Sequence, residues 1–174
     1  MKEWKDQKTR CRWANPDNPL YVRYHDEEWG VPLHEDQKLF ELLILEGFQA
    51  GLSWECVLNK REAFRRAFDE FDPERVAAYG EEKQQALLAD PGISRNRLKI
   101  GAAIRNAGIF RDIQREWGSV DRYLWHWTDG KTIHETGKDR SPLSDAVSAD
   151  LKKRGMKFVG TVIIYSYLQA AGVI

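Results

Sequence analysis

Between Asp36 and Ala50 the chain reads as an apolar helix with a carboxylate set into its buried side. Leu39, Phe40, Leu42, Leu43 and Ile44 supply the core-facing positions, and Glu46 follows Leu43 by three residues and Leu42 by four, so it shares their face. A buried carboxylate is costly unless something offsets its charge. It must therefore be paired inside the protein or face a cavity that a ligand completes. Gly47 and Gly51, which let backbone come close, and the flat side chain of Trp54 favour the cavity. The competing reading is a helix-end Glu with its head in water.

A chain of 174 residues suits one domain, or one domain with a lobe, around a substantial core. Lys plus Arg and Asp plus Glu each number 27, so no global field draws the molecule to nucleic acid and any basic patch must be local. Seven Trp and six Tyr serve either a core or flat ligands, and composition does not choose between them. The N-terminus lacks the apolar stretch of a signal peptide, and two cysteines make no disulfide framework, so a cytoplasmic protein is expected. The uncharged run from Phe158 to Ile174 falls short of the roughly 20 residues of a membrane span and reads as a buried helix. Because the sequence stops inside that apolar run, a tail beyond Ile174 is expected.

Apolar spacing at the helical period predicts helices over 36–50, 53–58, 60–69, 73–79, 81–88, 95–116, 119–126, 143–154 and 160–171, and no strand. An all-α fold of short helices follows. Met1 to Thr9 is polar and, apart from Trp4, expected to fray. The run Asn15-Pro16-Asp17-Asn18-Pro19 reads as a turn cluster, followed by the aromatic-rich segment from Tyr21 to Trp29. Ser141-Pro142 looks like a helix cap with Pro in the first turn, and Gly155 sits where a helix stops.

Two local features carry positive charge. Lys152-Lys153-Arg154-Gly155 ends one helix, and Met156-Lys157-Phe158-Val159-Gly160 leads into the next. Such a helix, hairpin and helix presents backbone N–H groups and a helix N-terminus to a phosphate, unless it is an ordinary surface turn with solvated lysines. A second cluster, Arg95, Arg97 and Lys99, lies near the start of another helix and could touch the same backbone. Cys11 and His25 are potential metal ligands, but two residues do not make the four-ligand structural site zinc prefers.

Several long motifs occur in order. They are Cys11-x-Trp13; Tyr21-x-x-Tyr24-His25-Asp26-x-Glu28-Trp29-Gly30-Val31-Pro32; Leu45-Glu46-Gly47-x-Gln49-Ala50-Gly51-Leu52-Ser53-Trp54; Gly92-Ile93-x-Arg95-x-Arg97-x-Lys99-Ile100; and Lys152-Lys153-Arg154-Gly155-x-Lys157-Phe158-Val159-Gly160-Thr161. Together they resemble the 3-methyladenine DNA glycosylase I family of the helix-hairpin-helix glycosylase superfamily, and they span nearly the whole chain. The resemblance implies an all-α, two-lobed fold, with residues 11–60 and the chain ends forming a pocket-side lobe and residues 70–160 a helical lobe. It implies Glu46 as the base-recognition carboxylate, acting with Tyr24, and Trp13, Tyr21, Trp29, Trp54 and Gln49 around the extruded base. It implies DNA contacts at Gly51, Leu52, Arg95, Arg97, Lys153, Gly155, Lys157 and Gly160. Cys11 and His25 match half of the family's structural zinc site, so zinc would require two further ligands beyond Ile174.

On this reading the partners are 3-methyladenine and damaged double-stranded DNA, met by a monomer with no membrane attachment. A cationic base needs little acid catalysis to leave, so selection is the main task. The nucleotide is expected to flip, with Leu52 as the wedge and water as the nucleophile. No lysine is expected near the pocket, which implies a monofunctional enzyme. A non-catalytic helix-hairpin-helix DNA-binding module would need the basic hairpin but not the carboxylate. A small-molecule enzyme or carrier would need the pocket but not the hairpin.

Overall fold

The computed structural model describes residues 4–174, so the part of the expected frayed segment at Met1–Glu3 lies outside the described residues. Ten α-helices and no strand are present among the described residues. They are α1 Pro19–Arg23, α2 Asp36–Gln49, α3 Trp54–Asn59, α4 Arg61–Ala67, α5 Pro73–Ala77, α6 Glu81–Ala89, α7 Arg97–Trp117, α8 Val120–His126, α9 Pro142–Lys153 and α10 Thr161–Ala170. None is long and apolar enough to cross a membrane.

The chain is arranged around α2, which packs against α3, α7, α8 and α10. Leu39, Phe40, Leu42, Leu43, Ile44, Leu45 and Phe48 are all buried, so this helix is apolar nearly all round, as a central helix must be. Phe48, Phe64, Phe68 and Phe71 form a chain of ring contacts beside it, with centroids 4.8 to 6.1 Å apart from ring to ring. Asp36, the first residue of α2, accepts from the backbone N–H groups of Val120 and Asp121 at 3.0 and 2.8 Å. A carboxylate from one helix thus caps the start of α8 and fixes their mutual placement.

Two local structures differ from the sequence expectation. Asn18-Pro19 opens a helix instead of closing a turn: the Asn18 side chain accepts from Leu20 and Tyr21 N–H, and Pro19 takes the first-turn position. That helix widens into a π-helical turn over Tyr24–Glu28, closed by Trp29 N–H donating to the Tyr24 carbonyl at 2.8 Å. Of the segment expected to fray apart from Trp4, the described part up to Thr9 is fastened through Arg10. Arg10 lies 4.5 Å over the Trp4 ring and pairs with Asp6 and Asp26 at 2.6 and 2.7 Å.

The end of α10 turns back onto the strap before α2. Leu33 N–H donates to the Ala171 carbonyl, and Gly172, at φ +73°, lies so close that a Cβ there would stand 2.5 Å from Pro32 N. Only glycine meets both demands. Gly172→Ala is therefore expected to cost about 3 kcal/mol or more in urea unfolding; a loss under about 1 kcal/mol would show that the strap yields freely.

Candidate active site

Glu46 comes one turn before the end of α2 and is 4% exposed. Among the described residues no hydrogen-bond donor or cation pairs with its side chain, and burial alone pushes its carboxyl up to about 8. The same helix supplies a contrast. Glu41 is 6% exposed, yet its Oε1 takes the Nε of Arg61 at 2.5 Å and of Arg65 at 2.9 Å. Glu41 obeys the rule that buried charges are paired, and Glu46 breaks it beside a cavity.

That cavity holds about 440 Å³ and is lined on one side by Trp13, Tyr21, Tyr24, Trp29, Glu46, Gln49 and Trp54. The sequence-predicted aromatic residues therefore do meet around the carboxylate. Trp13 is central, with ring centroids 5.4 Å from Tyr21, 6.4 Å from Tyr24 and 5.1 Å from Trp29, while Trp54 stands 5.3 Å from Tyr24. The π-helical turn puts Tyr24 into this group. Burial, reinforced by the nearby Glu46, holds the Tyr24 phenol well above its ordinary range, so it remains a hydrogen-bond donor. Tyr21 is raised by burial, then by Glu55 and Glu46. The indole N–H of Trp54 is buried without an acceptor.

The opposite wall was not foreseen. Glu135, Thr136, Gly137 and Lys138 from the loop before α9, with Ser166 and Gln169 from α10, close the cavity. Ser166 and Gln169 interrupt an otherwise apolar helix three residues apart, and that spacing was the signal available for them. The expectation that no lysine lies near the pocket is corrected: Lys138 is on its lining. Its Nζ pairs with Glu135 Oε2 at 2.5 Å.

Gln49 lines the cavity, but its Nε2 donates to the Leu52 carbonyl at 2.9 Å, while Leu52 N–H donates to the Gln49 carbonyl at 2.7 Å. These reciprocal bonds close the tip at Gly51, which has φ +77°. Leu52 is 40% exposed there.

Between α9 and α10 the chain turns at Gly155. Met156 N–H reaches the Leu151 carbonyl and Gly155 N–H the Lys152 carbonyl, the Schellman closure that a glycine at φ +100° permits. Asn106 of α7 clamps Lys157 through both backbone groups, at 2.8 and 2.9 Å, and Arg105 Nε holds the Gly155 carbonyl at 2.6 Å. Gly160 precedes α10 without any side-chain cap. Lys152, Lys153, Lys157, Arg95 and Arg97 are exposed. Two cations of these clusters are not available as expected. Arg154 is taken up by Asp150 and Glu116, and Lys99 is buried, with Nζ donating to the carbonyls of Phe48 and Ala50.

Cys11 and His25 do come together: Cys11 N–H donates to His25 Nε2 at 3.3 Å, and His25 Nδ1 bonds Asp26 at 2.9 Å. Among the described residues no group of three or more His, Cys, Asp or Glu could hold a metal ion. The residues present do not complete a zinc site, and no chemistry below passes through one.

The carboxyl of Glu46 makes a signed prediction. Below about pH 4.5 it is neutral folded or unfolded; between there and about 8 only the folded chain keeps its proton, so stability falls with rising pH and levels off above about 8. Glu46→Gln removes that loss and is expected to raise unfolding stability by about 1–3 kcal/mol at pH 7, the gain shrinking toward pH 4.5. Denaturant titration at several pH values checks it. A variant less stable than the parent at pH 7 would show that the carboxylate has a partner.

Comparison with known proteins gives one answer throughout. The sequence model of the methyladenine glycosylase family matches residues 13–174. DNA-3-methyladenine glycosylase 1 of Escherichia coli (strain K12) is 46% identical, over 95% of this chain and 91% of its own. A solved 3-methyladenine DNA glycosylase I superposes with a TM-score of 0.90, at 46% identity, covering 95% of this chain and 93% of that one. A variant of such an enzyme, solved in complex with 3-methyladenine, gives 0.88 at 36% identity, covering 95% and 92%. The chain belongs to the methyladenine glycosylase family.

Proposed function

We infer that the protein is a DNA repair glycosylase that removes 3-methyladenine from alkylated DNA. The observation that carries this reading is the unpaired buried carboxyl of Glu46 facing a cavity walled by indoles and phenols. The cavity's volume, about 440 Å³, suits a purine and leaves no room for a duplex, so the nucleotide must leave its stack to enter. An empty pocket at pH 7 holds Glu46 mainly protonated. Arrival of a cationic base drives that proton off, and carboxylate and cation then neutralise one another where water is scarce. An unmodified purine carries no charge to offset, so it gains nothing from Glu46. Trp and Tyr faces add cation–π attraction of roughly 0.5 to 2 kcal/mol per contact.

With the base held, the bond from C1′ to N9 breaks and its electron pair returns to the ring, so the base leaves neutral. Water adds to the electron-poor sugar carbon and gives its proton to solvent, leaving an abasic site. Tyr24, kept protonated by burial, acts as a donor to the bound base. On this reading the course is monofunctional, with water rather than Lys138 as the nucleophile.

The reading places double-stranded DNA across the helix-hairpin-helix formed by α9, residues 154–160 and α10. Lys153, Lys157, Arg95 and Arg97 meet phosphates, Gly155 and Gly160 allow close backbone approach, and Leu52 fills the vacated stack. The base then lies between a pocket-side lobe and a helical lobe. The enzyme acts as a cytoplasmic monomer. Zinc would be held by Cys11 and His25 only with two further ligands from a longer chain, which elemental analysis of such a chain reads directly.

Release of free base from methylated duplex DNA tests the assignment. The parent protein is expected to liberate 3-methyladenine, and Glu46→Gln to do so at least about 100-fold more slowly while binding undamaged DNA as before. Unchanged release by the variant would remove Glu46 from its role, and no release by the parent would leave a DNA-binding module.

A further inference from the structure

The start of α7 faces two ways. Arg95, Arg97 and Leu98 are exposed, Leu98 to 75%, whereas Lys99 is 9% exposed and points into the protein. Its Nζ donates to the Phe48 carbonyl at 2.8 Å and to the Ala50 carbonyl at 2.5 Å. Those oxygens belong to the last turn of α2 and its cap, where a helix leaves its carbonyls without internal partners and its dipole is negative. A lysine is therefore suited to the place although it is buried. The two carbonyls straddle Gln49, which lines the base cavity and closes the Leu52 tip, and Glu46 lies one turn earlier on the same helix. Lys99 thus ties the phosphate-facing start of α7 to the tip that carries Leu52.

We propose that Lys99 is a positioning residue for base extrusion: by holding the Phe48 and Ala50 carbonyls it fixes the height of Leu52 relative to the phosphates met by Arg95 and Arg97. The proposal rests on the glycosylase reading above. Its logic is geometric. The Gln49–Leu52 turn is closed on itself by its two reciprocal bonds around Gly51 at φ +77°, so it moves as a unit, and without a fixed base the wedge loses its thrust against the stack. Lys99 is not on the lining of the base pocket, whose aromatic wall of Trp13, Tyr21, Tyr24 and Trp54 belongs to other segments than the turn that Lys99 holds.

The test uses Lys99→Met, which preserves the apolar stem and removes the donors. Three quantities are read: binding of free 3-methyladenine by tryptophan fluorescence, single-turnover excision from a paired duplex, and single-turnover excision of the same lesion placed opposite an abasic position, where pairing is already lost. The expected result is a loss of about tenfold or more on the paired duplex, a much smaller loss on the unpaired lesion, and free-base affinity within about twofold of the parent. Leu52→Ala should show the same substrate dependence, and the double variant should add little to either alone. Equal loss on both duplexes, weakened free-base binding, or no loss at all would overturn the proposal and leave Lys99 as a helix cap. If Lys99→Met does not fold, Lys99→Gln, which keeps a donor, is read by the same three quantities. Failure of the parent protein to release any base would instead sink the glycosylase reading.

Discussion

A carboxyl buried without a partner is unfavourable to the fold, and in this molecule the unfavourable group sits where the chemistry needs it. Glu46 and Glu41 share one helix and nearly the same burial, yet among the described residues Glu41 has two arginines and Glu46 has none. Folding alone explains the first arrangement. On the proposed reading a base carrying a positive charge supplies what the second lacks, and selectivity follows from the same imbalance, since a neutral purine offers the carboxyl no reason to ionise.

The rest of the architecture holds that group in place. Asp36 anchors the start of α2 against α8, Lys99 anchors its end from α7, and Gly172 brings the end of α10 against the strap that precedes it. The hairpin between α9 and α10 is fixed to α7 through Asn106 and Arg105. The hairpin and the Arg95–Arg97 segment are therefore both mounted on α7, and α7 also grips the helix that carries Glu46. On the proposed reading, contact with phosphate and presentation of the pocket share one support.

Much of this was legible in the sequence because it is written in local patterns. Apolar periodicity located the long helices, and the spacing of Glu46 from Leu42 and Leu43 put it on the buried face. What failed depended on context. Asn18-Pro19 serves a turn or a helix start equally well, and tertiary packing of Tyr21 and Tyr24 chose the helix. The wall from Glu135 to Lys138 lies some ninety residues from Glu46 and carries no pattern that points to it. Charge in a basic cluster says nothing about direction: Arg97 faces solvent while Lys99, two residues on, turns inward to a helix end, and Arg154 is spent on two carboxylates.

The central claim is that the resting pocket stores an uncompensated acid. Isotope-edited NMR of the Glu46 side-chain carboxyl in the unliganded protein, followed through a pH titration, measures it directly. The account predicts a midpoint near about 8. A midpoint near the ordinary value of 4.5 would mean that water or a partner already stabilises the charge, and the basis for recognising a cationic base would be gone.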